Sequence, residues 1–386
     1  MMIPKVGDIF EAEVRDLASD GRGVVAHPSN RTFFVSGVWP GERGEFRINE
    51  LKARIGFASL HKLISASSHR VQPLCAYHGH GPQSCGGCPW QYIDYEAQLQ
   101  AKQGRVRSAI TRLTDKSVVK PIIPSPDIWS YRNRAQLKTD GVSIGYLGFQ
   151  SHTLVDVDVC PVLTDKNQRT LSDLRAMLPQ GPWRSGKKNA MTTLHIDEDR
   201  DASSVSVNQR LDFRQGNSAQ NERMRDWLAT QLENIAKGAH VVELFCGSGN
   251  FTEVILAQNF ATLLALEASQ SAVDTLVRRE HASSTLLQAK ACDLFAERAF
   301  APFKKELSQS QILILDPPRE GLKYKEGLLP KKHQFSHIFY ISCDLATLCR
   351  DLAYFLEQGF TVDEVQPLDL FPHTPHCELL VALKRG

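Results

Sequence analysis

The sequence predicts a multi-domain α/β protein with a small N-terminal β-barrel, a central α+β domain and a C-terminal Rossmann-like, doubly wound domain. Three observations predict it. At 386 residues the chain exceeds one ordinary hydrophobic core. Its first sixty or so residues are short alternating strands broken by Gly-rich turns, which is how a small barrel reads. From about residue 218, short apolar runs alternate with helical stretches, the pattern of a parallel sheet covered on both faces. The expected boundaries are 1–65, 66–217 and 218–386.

The barrel strands are expected in FEAEV, GVVAH, RTFFVSG and GEFRINEL, punctuated by SDGRG, HPSN and PGERG. Barrels of this kind often carry oligonucleotides, although the fold alone is equally compatible with a structural module. The central domain opens with a cysteine-rich stretch. A helix follows in DYEAQLQAKQGRVRSAITRL, with Leu99, Val106, Ile110 and Leu113 on one face and Gly104 interrupting it. RAQLKT, VSIGYLG and HTLVDVDV read as strands. In the last domain the parallel strands are expected in HVVELFC, TLLALEA, STLLQAKA, QILILD and HIFYIS.

Composition narrows the function classes. Hydrophobic residues make up 42% and charged residues 23%, as in soluble globular proteins. A net charge of +2 gives no global field for nucleic acid, so any RNA surface must be local. Between Ala101 and Asp140 there are nine basic residues (Lys102, Arg105, Arg107, Arg112, Lys116, Lys120, Arg132, Arg134, Lys138) against three acidic ones (Asp115, Asp127, Asp140). On charge alone that stretch is a solvated helix face. No apolar run approaches the ~20 residues of a membrane span, and the N-terminus lacks a signal-peptide core, so a cytoplasmic protein is expected. Nine cysteines without an export signal point to metal binding or catalysis rather than disulfides.

The run VVELFCGSGNFT is a strand, a Gly-rich turn and a helix start. Phe245, Gly247 and Gly249 are its ligand-binding candidates, the glycines because they permit positive φ and close backbone approach. The dinucleotide spacing GxGxxG is not completed, because Thr252 holds the third position. Glu267 ends the next strand, where a carboxylate can accept from both ribose hydroxyls. Asp293 follows the third strand and is placed to read an adenine amino group. This set suits an adenosyl ligand without a pyrophosphate, such as S-adenosylmethionine; a generic nucleotide site is the alternative.

Three further motifs sit at strand ends: LILDPPREGL, FYISCDLATLCRDL and LFPHTPHCELLVAL. They present Asp316, Cys343 and Glu378, the last near His373 and His376. Cys343 lies close to a helix start, where amide donors are expected to lower its pKa. An inert buried thiol and an exposed strand-edge carboxylate are the bland alternatives. A thiolate, a carboxylate base and a methyl sulfonium together suit methylation at C5 of uracil. The thiolate adds to C6, C5 becomes nucleophilic, and the base then removes the C5 proton. The target base must leave its stack.

Cys75, Cys85 and Cys88 in CAYHGHGPQSCGGCPWQ, with Cys160 in DVDVCP, suit tetrahedral zinc or a [4Fe–4S] cluster, and their spacing does not choose between them. His78 and His80 are secondary candidates. Cys246, Cys292, Cys349 and Cys377 read as packing residues.

These motifs, in this order, resemble the RNA uracil-5-methyltransferase family, the RumA/TrmA-like enzymes, over nearly the whole chain. VGDIFEAEVRDLASDGRGVV…FVSGVWPGERGE looks like an RNA-binding TRAM domain. YRNRAQLK, DFRQGN, ELFCGSGNFT, DPPREG, ISCDLATLCRDL and FPHTPHCE follow in the family's sequence. The resemblance implies that Gln215, Glu267 and Asp316 contact S-adenosylmethionine, that Phe213 stacks near the target base, that Cys343 is the nucleophile and that Glu378 is the base. It also favours the [4Fe–4S] cluster on Cys75, Cys85, Cys88 and Cys160, with a structural or RNA-folding role. Two departures stand out: Ser342-Cys343-Asp344-Leu345 where the family usually reads SCNP, and Gly216 where valine is common. The loop between Cys75 and Cys85 is also longer than usual. Barrel plus cluster implies 23S ribosomal RNA as substrate. A transfer-RNA uridine methyltransferase and a non-catalytic RNA-binding assembly factor are the rivals. No membrane and no protein partner is implied.

Overall fold

The structure, a computed structural model, describes residues 3–114, 119–185, 190–209 and 213–385. Asp115 and Lys116 of the basic stretch, and Asp212 of DFRQGN, lie outside the described residues. The chain forms two compact units, one of residues 1–101, 127–210 and 371–375, the other of residues 102–126, 211–370 and 376–386.

In the first unit, β1 (Ile9–Leu17), β2 (Gly23–Ala26), β3 (Thr32–Val35), β4 (Arg43–Leu51) and β5 (Ile55–Ser65) close into a barrel of order β1-β2-β3-β5-β4. Alternation puts Phe10, Val14, Val25, Phe33, Phe46 and Ile48 inside. Gly56 is required there, because a Cβ would collide with the Phe33 ring. α1 (Tyr95–Leu113) runs on through Gly104, its residues from Lys102 onward belonging to the second unit. β6 (Arg134–Thr139), β7 (Ile144–Leu147), β8 (Leu154–Asp156), α2 (Asp165–Ala176), β9 (Thr192–Asp197) and β10 (Ser206–Val207) follow, and their strands form an antiparallel sheet of order β10-β9-β6-β7-β8.

The second unit continues with α3 (Ser218–Glu233), β11 (His240–Leu244), α4 (Thr252–Ala257), β12 (Thr262–Glu267), α5 (Gln270–Arg278), β13 (Leu286–Ala291) and α6 (Lys304–Gln309). It ends with β14 (Ile312–Leu315), β15 (His337–Ser342), α7 (Leu345–Glu357), β16 (Thr361–Leu368) and β17 (Glu378–Lys384). The seven strands order as β13-β12-β11-β14-β15-β17-β16. All neighbours are parallel except at β17, which runs against both β15 and β16. Its interior is continuous: Val242, Leu244, Leu264, Leu313, Leu315, Tyr340 and Leu379 share one core with Leu348, Leu352 and Phe355 of α7. Chain order reverses at β11, between β12 and β14, so a crevice opens at the carboxyl ends of these strands. No helix among the described residues is long and apolar enough to cross a membrane.

Candidate active site

Strand register lines the candidate residues along one edge of this sheet. Leu244 of β11 pairs with Leu266 on one side and Leu315 on the other, so Phe245, Glu267 and Asp316 emerge side by side. Ser342 of β15 pairs with Leu379 of antiparallel β17. The next step of that register sets Cys343 opposite Glu378.

The Gly-rich turn binds itself to β12. Phe245 (φ 64°), Gly247 (φ 53°) and Gly249 (φ 104°) are all left-handed. The Phe245 amide donates to the Leu266 carbonyl at 2.8 Å, and the Gly247 amide donates to Glu267 Oε2 at 3.1 Å. Glu267 Oε1 accepts from the Ser269 amide at 2.9 Å, fixing the entry to α5. Thr252, in the position that breaks the dinucleotide spacing, donates from Oγ1 to buried Glu243 Oε2 at 2.6 Å. Glu243 is a site residue that sequence reasoning missed. Its signal was an acid placed inside the apolar run VVELF. Asp293 lies just past β13, exposed, and Oδ1 accepts from the Phe295 amide at 2.9 Å. The Phe295 ring packs against Phe245 with centroids 5.8 Å apart. Gln215 is buried, whereas Phe213 is 67% exposed.

Acids crowd this edge. Burial pushes Glu243 up to about 8, with nearby Asp316 adding to it and the Thr252 hydroxyl opposing. Burial and the charge of Glu267 push Asp316 up to about 7. Burial, reinforced by Asp316, holds Glu378 well above the usual carboxylate range, against the pull of Arg319. The Cys343 thiol is pushed up to about 12 by burial, Glu378 and Asp316, again with Arg319 opposing. This corrects the expectation that a helix start would depress that thiol. α7 is capped by Asp344, whose Oδ1 accepts the Thr347 amide at 2.9 Å, so the helix-start amide goes to a carboxylate rather than to sulfur. Ser342 braces the same turn, accepting from the Asp344 amide at 3.2 Å and donating to its carbonyl at 3.0 Å.

Arg319 was also missed by sequence reasoning, and it is the cation that opposes the raised pKa at both Cys343 and Glu378. Its signal was a lone arginine in a strand-end motif beside Asp316. His376 is pushed down to about 4 by burial and by the charges of Arg319, Lys102 and Arg105, so it is neutral at physiological pH. His373 belongs to the first unit, where its ring stacks on Trp129 at 4.0 Å and its amide donates to Gln98 Oε1 at 2.8 Å.

In the first unit, Cys75, Cys85, Cys88 and Cys160 are drawn together. Burial raises the first three thiols, Cys85 to about 11 and Cys88 to about 12, and the charge of Cys160 raises each further. Among the described residues no group of three or more His, Cys, Asp and Glu is poised to hold a metal ion. The His78 and His80 rings each face a backbone carbonyl, of Cys88 at 3.2 Å and of Pro89 at 3.0 Å.

A profile of the family described as tRNA (Uracil-5-)-methyltransferase matches residues 185–386, the segment that holds all the strand-end groups. An uncharacterized RNA methyltransferase of Nitrosomonas europaea is 39% identical, over 96% of this chain and 95% of that protein. The chain belongs to the tRNA (uracil-5-)-methyltransferase family. Also similar to the chain is the 23S rRNA (uracil(1939)-C(5))-methyltransferase RlmD of Halomonas elongata, 30% identical over 97% of this chain and 89% of its own. The fold matches the crystal structure of Pyrococcus abyssi tRNA (uracil-54, C5)-methyltransferase in complex with S-adenosyl-L-homocysteine. That match has a TM-score of 0.69 and 20% identity and covers 97% of this chain and 100% of that one.

Proposed function

We propose that this chain transfers the methyl group of S-adenosylmethionine to C5 of a uridine in 23S ribosomal RNA through a covalent adduct between Cys343 and C6. The register that sets Cys343 opposite Glu378, one strand from Asp316, carries the reading. Cys343 Sγ gives its proton to solvent and, as the thiolate, bonds C6, and the C5–C6 π pair moves onto the ring as an enolate. C5 takes the methyl group, whose bonding pair stays with the departing cofactor sulfur. Glu378 then accepts the C5 proton, C5=C6 re-forms and Sγ is expelled. Arg319 favours the negative charge that this sequence places on the thiol and carboxyl. Gln215, Phe245, Gly247, Gly249, Glu267, Asp293 and Asp316 hold the cofactor, and exposed Phe213 stacks on the flipped base.

The same reading divides the chain at 1–65, 66–217 and 218–386, treats the closed barrel as a TRAM-like RNA-binding module, and places the enzyme in the cytoplasm. Cys75, Cys85, Cys88 and Cys160 fit a [4Fe–4S] cluster by donor chemistry: four soft thiols from two segments of one unit. The cluster would cross-link those segments and is given no part in methyl transfer.

Several of the similar proteins are named 23S rRNA (uracil(1939)-C(5))-methyltransferases, which supports ribosomal RNA over transfer RNA. The Pyrococcus abyssi enzyme, named for tRNA, is the observation behind the second reading. Labelled S-adenosylmethionine, offered with unmodified 23S ribosomal RNA and bulk transfer RNA separately, tests both. The expected result is label in 5-methyluridine from ribosomal RNA. Label only from transfer RNA overturns the substrate, and label in neither favours a non-catalytic RNA-binding factor.

A further inference from the structure

The loop after β14 carries Asp316 and Arg319, and it is fastened by a buried carboxylate that plays no part in the chemistry above. Asp351 lies two turns into α7 and its side chain is fully buried. Oδ2 accepts from the Leu322 amide at 2.7 Å and from the Tyr340 hydroxyl at 2.7 Å. Oδ1 meets Lys325 Nζ at 2.9 Å and Arg350 Nε at 3.0 Å. Arg350 reaches the same loop directly, donating to the carbonyls of Glu320 at 2.8 Å and Leu322 at 3.3 Å. Gly321 (φ 66°) completes the fit, because a Cβ there would collide with Asp351 Oδ2. One carboxylate thus gathers the end of β15 just before Cys343, the helix just after it, and the loop that bears Arg319.

We propose that Asp351 is a positioning residue, which holds the Pro318–Leu322 segment against α7 so that the Arg319 guanidinium stays within electrostatic reach of Cys343 and Glu378. Structure without this role would need fewer bonds. Lys325 and Arg350 already neutralise the carboxylate through Oδ1, which leaves Oδ2 to tie the Leu322 amide of the loop to the Tyr340 hydroxyl of β15. Burial would push Asp351 up, and the donors from Arg350, Leu322, Lys325 and Tyr340 together outweigh it, so the carboxylate is ionised and can serve all of them. The inference rests on Cys343 being the reactive thiol, and its test reads that thiol without requiring turnover.

Alkylation of Cys343 by iodoacetamide, followed across pH by mass spectrometry of its peptide, is compared in the full-length wild type, Asp351→Asn, Arg319→Gln and the double variant. Releasing Arg319 removes a charge that favours the thiolate, so the Asp351→Asn profile moves alkaline by about one unit, a rate about tenfold lower at fixed pH below the midpoint. Arg319→Gln gives the same shift, and the double variant gives no more than either alone. An unshifted Asp351→Asn profile, or additive shifts, overturns the proposal. Tyr340→Phe, which removes one donor and no charge, is the substitute if Asp351→Asn does not fold, with a smaller alkaline shift expected and none overturning it. If Cys343→Ala still methylates RNA, the reading of Cys343 fails while the positioning result stands.

Discussion

The Gly247 amide and Glu267 Oε2, 3.1 Å apart, make the Gly-rich turn after β11 and the end of β12 a single hydrogen-bonded unit. The carboxylate therefore shapes the turn as well as facing the crevice. Glu267→Ala leaves the Gly247 and Ser269 amides without this acceptor, at a cost of about 1–3 kcal/mol for each one that stays buried. Affinity for S-adenosylhomocysteine, measured by calorimetry, is expected to fall at least about tenfold, a loss of about 1.4 kcal/mol. RNA affinity should be unchanged.

Acid crowding at the strand ends fixes a pH dependence. The folded pKa values of Glu243 and Asp316, about 8 and about 7, lie above their ordinary values of 4.5 and 3.8. Between those limits the native state binds more protons than the unfolded state, so stability falls as pH rises. Their stabilising contribution is complete below about 4 and is lost as pH passes through 7 to 8. Melting of the ligand-free protein should thus shift down between pH 5.5 and 8.5, and Glu243→Gln should flatten that slope. An unchanged slope in Glu243→Gln contradicts the assignment.

Lys102 and Asp369 form a fully buried ion pair in the second unit, 2.6 Å between Nζ and Oδ1. Lys102→Met leaves a buried carboxylate without its counter-ion and should cost about 3–5 kcal/mol in denaturant unfolding. Adding Asp369→Leu should recover most of that loss, since a well-packed apolar pair escapes the desolvation penalty.

Much of this architecture was legible in the residues. Period-2 alternation marked β1–β4, continuous apolar runs marked β11–β15, and the motifs flanking them placed Glu267, Asp316 and Cys343 at strand ends and Glu378 at the start of β17. β5 and β16 were missed because IGFASLHKLIS and TVDEVQPL carry polar residues along exposed stretches, and β16 also holds Pro367. Register was not legible, so the facing of Cys343 and Glu378 came only with the antiparallel β17. The thiol's raised pKa was hidden too, because a helix start was visible while its occupation by Asp344 was not. Gly104 had looked like an interruption of α1, yet a Cβ there would meet nothing within 4 Å. Gly104→Ala should raise stability by about 0.5–1 kcal/mol, read from thermal or denaturant unfolding.

The four cysteines of the first unit give a separate test. Protein purified without oxygen should be brown, with broad visible absorbance and about four irons per chain if the cluster is present. Cys85→Ser or Cys88→Ser should lose colour and iron together. A colourless protein with stoichiometric zinc would replace the cluster with a structural zinc site.

The central claim is that Cys343 bonds the base and that Glu378 must act before release. Glu378→Gln, incubated with S-adenosylmethionine and the RNA substrate and run on a denaturing gel, tests it most directly. A protein–RNA band that disappears in Glu378→Gln with Cys343→Ala is the predicted result. Methyl transfer by Glu378→Gln at the wild-type rate with no band, or a band that survives loss of Cys343, would contradict it.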